Sequence, residues 1–155
     1  MTTEAVPSEL LPHLRRARDL IDRDYVRGPG LDELAATAGL SKYHFLRCFA
    51  AAYGQTPALY LTHRRIERAQ DLLRATNLTV TEVCVLVGYG SLGSFSSKFT
   101  ALVGVSPSAY QQRYADGAPR IPGCFVFMIG LQDRDHQDRI GQDHDRDGSA
   151  IGEKR

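Results

Sequence analysis

The chain has 155 residues, 43% of them apolar, with 19 Lys+Arg against 18 Asp+Glu and three cysteines, which fits one domain or two very small ones sharing a core. Its longest apolar run, Cys124 to Ile129, is too short to span a bilayer, and "MTTEAVPSELL" has neither the basic region nor the apolar core of a signal peptide. The sequence therefore predicts a cytoplasmic protein with no membrane partner, and its scattered Cys48, Cys84 and Cys124 have no spacing suited to zinc or a disulfide framework.

In chain order, "SELLPHLRRARDLIDRDYV" predicts an amphipathic helix with Leu14, Ala17, Leu20 and Ile21 on its apolar stripe. Next, "LDELAATAGL" predicts a short helix stopped by Gly39, and Ser41 restarts the chain into a second helix of about 41–53. Thr56-Pro57 places a capping residue before a proline suited to the first helical position. It opens "PALYLTHRRIERAQDLLRAT", with Leu59, Thr62, Ile66, Ala69 and Leu73 on one stripe and Arg64, Arg65 and Arg68 off it. Thr79 and Glu82 form a capping-box pattern ahead of "VTEVCVLVG", Gly88 ends that helix, and Gly90 or Ser91 opens the next, about 91–102. Ser106-Pro107 then repeats the Thr-Pro step. After Tyr114 the pattern fails. Residues 115–155, including the apolar segment 121–131, predict a disordered tail, in which "IPGCFVFMIGL" could fold back as a strand, dock a partner or be a remnant.

These elements repeat. Phe45/Phe95, Phe49/Phe99, Gly54/Gly104, Pro57/Pro107 and Tyr60/Tyr110 share an offset of 50, and Glu33/Glu82 and Gly39/Gly88 an offset of 49. Two copies are too few for a solenoid, so they predict two similar subdomains. Each is helix, glycine-containing turn and second helix, the arrangement whose second helix can enter a DNA major groove. The near-neutral total hides a local excess. Residues 1–114 carry 13 basic and 10 acidic residues, and between Leu40 and Arg113 eight basic residues face only Glu67, Asp71 and Glu82.

At about 100° per residue, Phe45, Cys48, Phe49 and Ala52 point to the core, while Tyr43, Arg47 and Ala50, with Leu46 beside them, point out. In the second copy Phe95, Lys98, Phe99 and Leu102 take the inner positions, and Gly93, Ser97 and Thr100, with Ser96 beside them, point out.

The stretches "LDELAATAGLSKYHFLRCFAAAYGQTPALYL", "RRIERAQDLL" and "VTEVCVLVGYGSLGSFSSKFTALVGVSPSAY" together resemble the DNA-binding domain of the AraC/XylS family of bacterial transcription regulators. The resemblance covers about residues 8–114. It implies an all-α, homeodomain-like fold of about seven helices: a first helix-turn-helix subdomain over 8–56, a linker helix over 57–76 and a second subdomain over 77–114. It also implies a monomeric regulator of the bacterial nucleoid, with promoter DNA and RNA polymerase as partners and no cofactor. The family's DNA-repair relatives add a cysteine cluster that binds zinc and accepts alkyl groups; Cys48, Cys84 and Cys124 form no such cluster, so neither a metal nor enzymatic activity is expected. Most members carry a further sensing or dimerisation domain, for which this chain has no room, so it resembles the minimal members.

The base-reading candidates are Tyr43, His44, Leu46 and Arg47 in the first copy and Leu92, Gly93, Ser94 and Ser97 in the second. Arg47 can make a bidentate contact to guanine and Leu46 can meet a thymine methyl. Where relatives often carry an arginine, this chain has Ser97, which weakens the second reader. Candidates for phosphate contact are Ser41, Lys42, Arg64, Arg65, Arg68, Ser91, Lys98 and Thr100. The competing reading is a protein-interaction module, a degenerate pair of helix-turn-helix units acting through RNA polymerase or another partner. His44 and Cys48 lie four residues apart with no third ligand nearby, and "DHDRDG" over 143–148 opens like a calcium loop but has Lys154 where the bidentate Glu belongs.

Overall fold

The computed structural model describes residues 5–115 and 121–124. A short 3-10 turn, Ser8–Leu10, leads into seven α-helices: α1 Leu11–Arg23, α2 Leu31–Ala38, α3 Lys42–Tyr53, α4 Pro57–Ala75, α5 Val80–Leu86, α6 Leu92–Val103 and α7 Pro107–Arg113. The described residues contain no strand beyond an isolated parallel bridge between Thr76 and Ile121.

The helix ends follow from the local chemistry. Ser41, Thr56, Ser91 and Ser106 each accept a hydrogen bond from a backbone N–H in the first turn of the helix they open, satisfying donors that have no partner within the helix. Gly39, Gly54 and Gly104 close α2, α3 and α6 in the left-handed conformation. At α5 the capping box forms in full: Thr79 accepts from the Glu82 N–H, and the Glu82 carboxylate accepts from the Thr79 N–H at 2.7 Å. That backbone donor holds the Glu82 carboxyl below its ordinary value. Because α5 has only seven residues, it depends on this cap. Thr79→Ala should cost about 1 kcal/mol, measurable as a lower urea midpoint at unchanged slope.

The offset-50 repeat is the core of each unit. In the first, Phe45 and Phe49 stack at 5.5 Å and Phe49 meets Tyr60 edge-on at 5.8 Å. In the second, Phe95 and Phe99 stack at 5.7 Å and Phe99 meets Tyr110 edge-on at 5.5 Å. The same aromatic triad thus binds each second helix to the helix that the buried Pro57 or Pro107 opens. Two separate buried clusters result. One contains Leu14, Ala17, Ile21, Leu34 and Phe49, the other Leu73, Val83, Val87 and Phe99. Helix α4 belongs to both: Tyr60 and Leu61 pack on the first cluster, while Ile66, Ala69, Leu72 and Leu73 form part of the second.

Three expected inner positions are corrected. Lys98 is exposed rather than inward, and Leu102 and Leu59 are 42% and 43% exposed, because each cluster closes on its aromatic pair and leaves the flank of the helix in solvent. Residues 121–124 lie against the end of α4: the Ile121 N–H donates to the Ala75 carbonyl at 2.8 Å, and the Gly123 N–H to the Asn77 side-chain oxygen at 2.7 Å. These four residues thus fold back on the domain, but through an isolated bridge at Ile121 rather than as a strand. Residues 116–120 and 125–155 of the expected tail, with the calcium-loop-like 143–148, fall outside the described residues.

Candidate nucleic-acid interface

Capping and core burial together decide which sides of α3 and α6 remain open. With Phe45, Cys48 and Phe49 inward, α3 exposes Lys42, Tyr43, His44 and Arg47; Leu46 and Ala50 are half-buried. Tyr43 is 73% exposed, and the Arg47 guanidinium lies 5.9 Å from the centre of its ring. Such stacking extends a planar cation outward while its donors stay at the edge. Lys42 pairs with Asp32 of α2, an exposed contact worth about 0–1 kcal/mol that a phosphate can replace.

His44 turns toward Cys48, with Nε2 3.7 Å from Sγ. Both line a cavity of about 320 Å³ together with Arg47, Ala51 and the N-terminal residues Ala5, Val6 and Pro7. No pattern in the sequence points to this arm, which has no helical period. Among the described residues no three His, Cys, Asp or Glu side chains gather as a metal site. Cys84 is buried, and burial pushes its thiol up, away from the reactive thiolate.

On α6, burial of Phe95 and Phe99 leaves Leu92, Gly93, Ser94, Ser97, Lys98 and Thr100 exposed, with the capping Ser91 beside them; Ser96 is half-buried. A side chain at Gly93 would enter open space, so nothing within the protein requires glycine there. The two outer faces differ: α3 carries a lysine, a histidine, an arginine and a tyrosine, whereas α6 carries a leucine, a glycine, short hydroxyl side chains and one lysine.

Helix α4 carries the remaining candidates, and they separate. Arg68 is exposed. Arg64 pairs with Asp22 at 3.4 Å and Glu67 at 3.5 Å. Asp22 in turn accepts from the Tyr60 hydroxyl at 3.1 Å, and burial together with that carboxylate pushes Tyr60 up to about 12. Arg65, also named as a phosphate candidate, differs from Arg64 and Arg68 in being held by the protein's own backbone. Its guanidinium is half-buried and donates to the carbonyls of Tyr25 and Val26 at 2.7 and 3.0 Å. Desolvation lowers its pKa. Its partners are backbone carbonyls some 40 residues away, which no side-chain pattern reveals.

Residues 34–113, just over half of the chain, match the model of a family described as "Helix-turn-helix domain", and the curated and structural relatives are AraC-type regulators. The chain belongs to the AraC family. It is 41% identical over 87 residues to the MmsAB operon regulatory protein of Pseudomonas aeruginosa, covering 56% of this chain and 28% of that one. It is 36% identical over 81 residues to the HTH-type transcriptional activator AarP of Providencia stuartii, covering 52% and 60%. The chain thus spans less than two thirds of either relative. Among solved structures, the DNA-binding domain of AdpA, the global transcriptional factor, in complex with a target DNA superposes with a TM-score of 0.60 at 28% identity, covering 66% of this chain and 92% of that one. A probable AraC family transcriptional regulator from Rhodopseudomonas palustris gives 0.61 at 27% identity, covering 66% and 97%. The all-α tandem arrangement is that of AraC-type DNA-binding domains. Among the described residues no helix is long and apolar enough to cross a membrane.

Proposed function

We propose that this AraC-family protein is a sequence-specific, DNA-binding transcription regulator that inserts α3 and α6 into successive major grooves of an asymmetric promoter site. The observation that carries this reading is the pairing of two identically capped helices, each with a buried aromatic seam and an open outer face, at the two ends of α4. At 1.5 Å per residue, the 19 residues of α4 span about 30 Å, close to the roughly 34 Å repeat of the major groove on one face of B-DNA. The AdpA domain, a relative in fold, is bound to a target DNA, which supports the same mode here. Because the two units are tandem rather than related by a two-fold axis, one chain reads an asymmetric site.

In this reading Arg47 forms the principal base contact, with Tyr43, His44 and Leu46 around it. Leu92, Gly93, Ser94 and Ser97 approach the second groove more closely but with fewer long donors. Ser41, Lys42, Arg64, Arg68, Ser91, Lys98 and Thr100 meet the backbone and set register rather than sequence. The protein acts as a monomer in the cytoplasm at the nucleoid, without enzymatic chemistry, and engages RNA polymerase from the promoter.

The mismatch between about 30 Å and about 34 Å implies that the duplex bends toward the protein when both helices engage, at a cost of a few kcal/mol. Circularly permuted probes should migrate with position-dependent mobility. Position-independent mobility together with a footprint over both half-sites contradicts this docking. The weak second face favours a second reading, a protein-interaction module, which predicts no measurable DNA binding even at low salt.

A further inference from the structure

Arg65 joins the two helix-turn-helix units. Its Nε and Nη2 donate to the carbonyls of Tyr25 and Val26, in the turn after α1 of the first unit. Its guanidinium carbon lies 5.5 Å from the centre of the Tyr89 ring, in the turn between α5 and α6 of the second. Tyr25 and Tyr89 both pack on the second cluster, so the turn of the first unit is seated on the core of the other. The two turns approach too closely for a side chain at Gly88. A Cβ on Gly88, where φ is +92°, would lie 2.2 Å from the Val26 carbonyl oxygen and 3.0 Å from Arg65 Nη2; one on Gly28 would lie 2.7 Å from the same nitrogen. Only glycines leave room for the guanidinium and for this contact.

We propose that Arg65 is a positioning residue for DNA reading, a latch that fixes the first unit against the second and so sets the distance and rotational phase between α3 and α6. This rests on the reading that both helices engage one duplex. The arrangement needs arginine. A planar fork satisfies two adjacent carbonyls while its face lies on a ring, which the point charge of lysine cannot do, although lysine serves well at a phosphate. The latch adds a second connection between the two clusters beside α4, which packs on both.

Wild type, Arg65→Lys and Arg65→Ala would be compared by backbone residual dipolar couplings in weak alignment, without DNA. The latch predicts that wild type fits one alignment tensor over both units. Each variant should remain folded within its units, with dispersed amide spectra, yet require two tensors. A single unchanged tensor in Arg65→Lys and Arg65→Ala overturns the proposal. A second arm uses the duplex selected by the wild type from a random pool, with two base pairs inserted between its half-sites, which turns one half-site by about 70° relative to the other. Wild type should lose about tenfold or more on the inserted probe, whereas the Arg65 variants lose most of that discrimination and keep wild-type binding to the isolated first half-site. If Arg65→Lys binds and discriminates like wild type, Arg65 is a phosphate contact and the latch is wrong. If wild type binds no duplex, the DNA reading fails while the tensor comparison still decides the latch.

Discussion

Arg47→Ala is expected to remove specific DNA binding with little loss of fold. The side chain is exposed on the outer face of α3, stacked beside Tyr43, and its truncation empties no core, so unfolding should move by less than about 0.5 kcal/mol. A bidentate arginine–guanine contact contributes about 1–3 kcal/mol of discrimination, roughly a five- to 150-fold loss against the selected duplex, with sequence preference relaxed at one position. Ser97→Ala on α6 should change binding little, because a serine hydroxyl offers one short contact where an arginine offers a fork. Titration of both variants against the same duplex checks the ranking. A larger loss for Ser97→Ala than for Arg47→Ala would reverse the assignment of the stronger reader.

Phe99→Ala is expected to give the largest loss of stability. Phe99 is fully buried, stacked on Phe95 at 5.7 Å and edge-on to Tyr110 at 5.5 Å. It joins α6 to α7 at the point where the second cluster closes. Removing a buried phenyl ring from such a site costs about 3–5 kcal/mol, part transfer and part cavity, a large share of the roughly 5–15 kcal/mol available to a domain. Since the two clusters are distinct, the damage should be uneven: faster amide exchange in α5 to α7, with α1 to α3 less affected. Thr100→Ala, one residue on but exposed, should stay within about 0.5 kcal/mol. Equal effects of the two substitutions would mean that the second core does not depend on the aromatic triad.

The fold was legible because its determinants are local and occur twice. Capping serines and threonines, glycine stops and the Thr-Pro and Ser-Pro steps define helix ends by short-range hydrogen bonds, and the offset of 50 links Phe49–Tyr60 to Phe99–Tyr110 as equivalent contacts. Helical periodicity then identifies the outer faces. It failed at Lys98 and Leu102, where an angle on a wheel says which side faces inward but not how wide the covering neighbour is. At Arg65 it says nothing of the partners. Periodicity places that residue off the apolar stripe, which is correct, but the groups that receive it are carbonyls of Tyr25 and Val26, and a backbone acceptor leaves no mark in a sequence. The approach of Ala5, Val6 and Pro7 to His44 and Arg47 is likewise a product of tertiary packing. That the outer face of α6 is built from short side chains was visible directly, since Gly93, Ser94 and Ser97 are short whatever the fold.

The central claim is that α3 and α6 read one duplex together. Selection of bound duplexes from a random pool, followed by titration of the recovered site at several salt concentrations, tests it most directly. The account predicts an asymmetric motif of two blocks about one helical turn apart, the block under α3 more sharply defined, with affinity falling steeply as salt rises. Recovery of a single short block, or no enrichment and no binding at low salt, contradicts it.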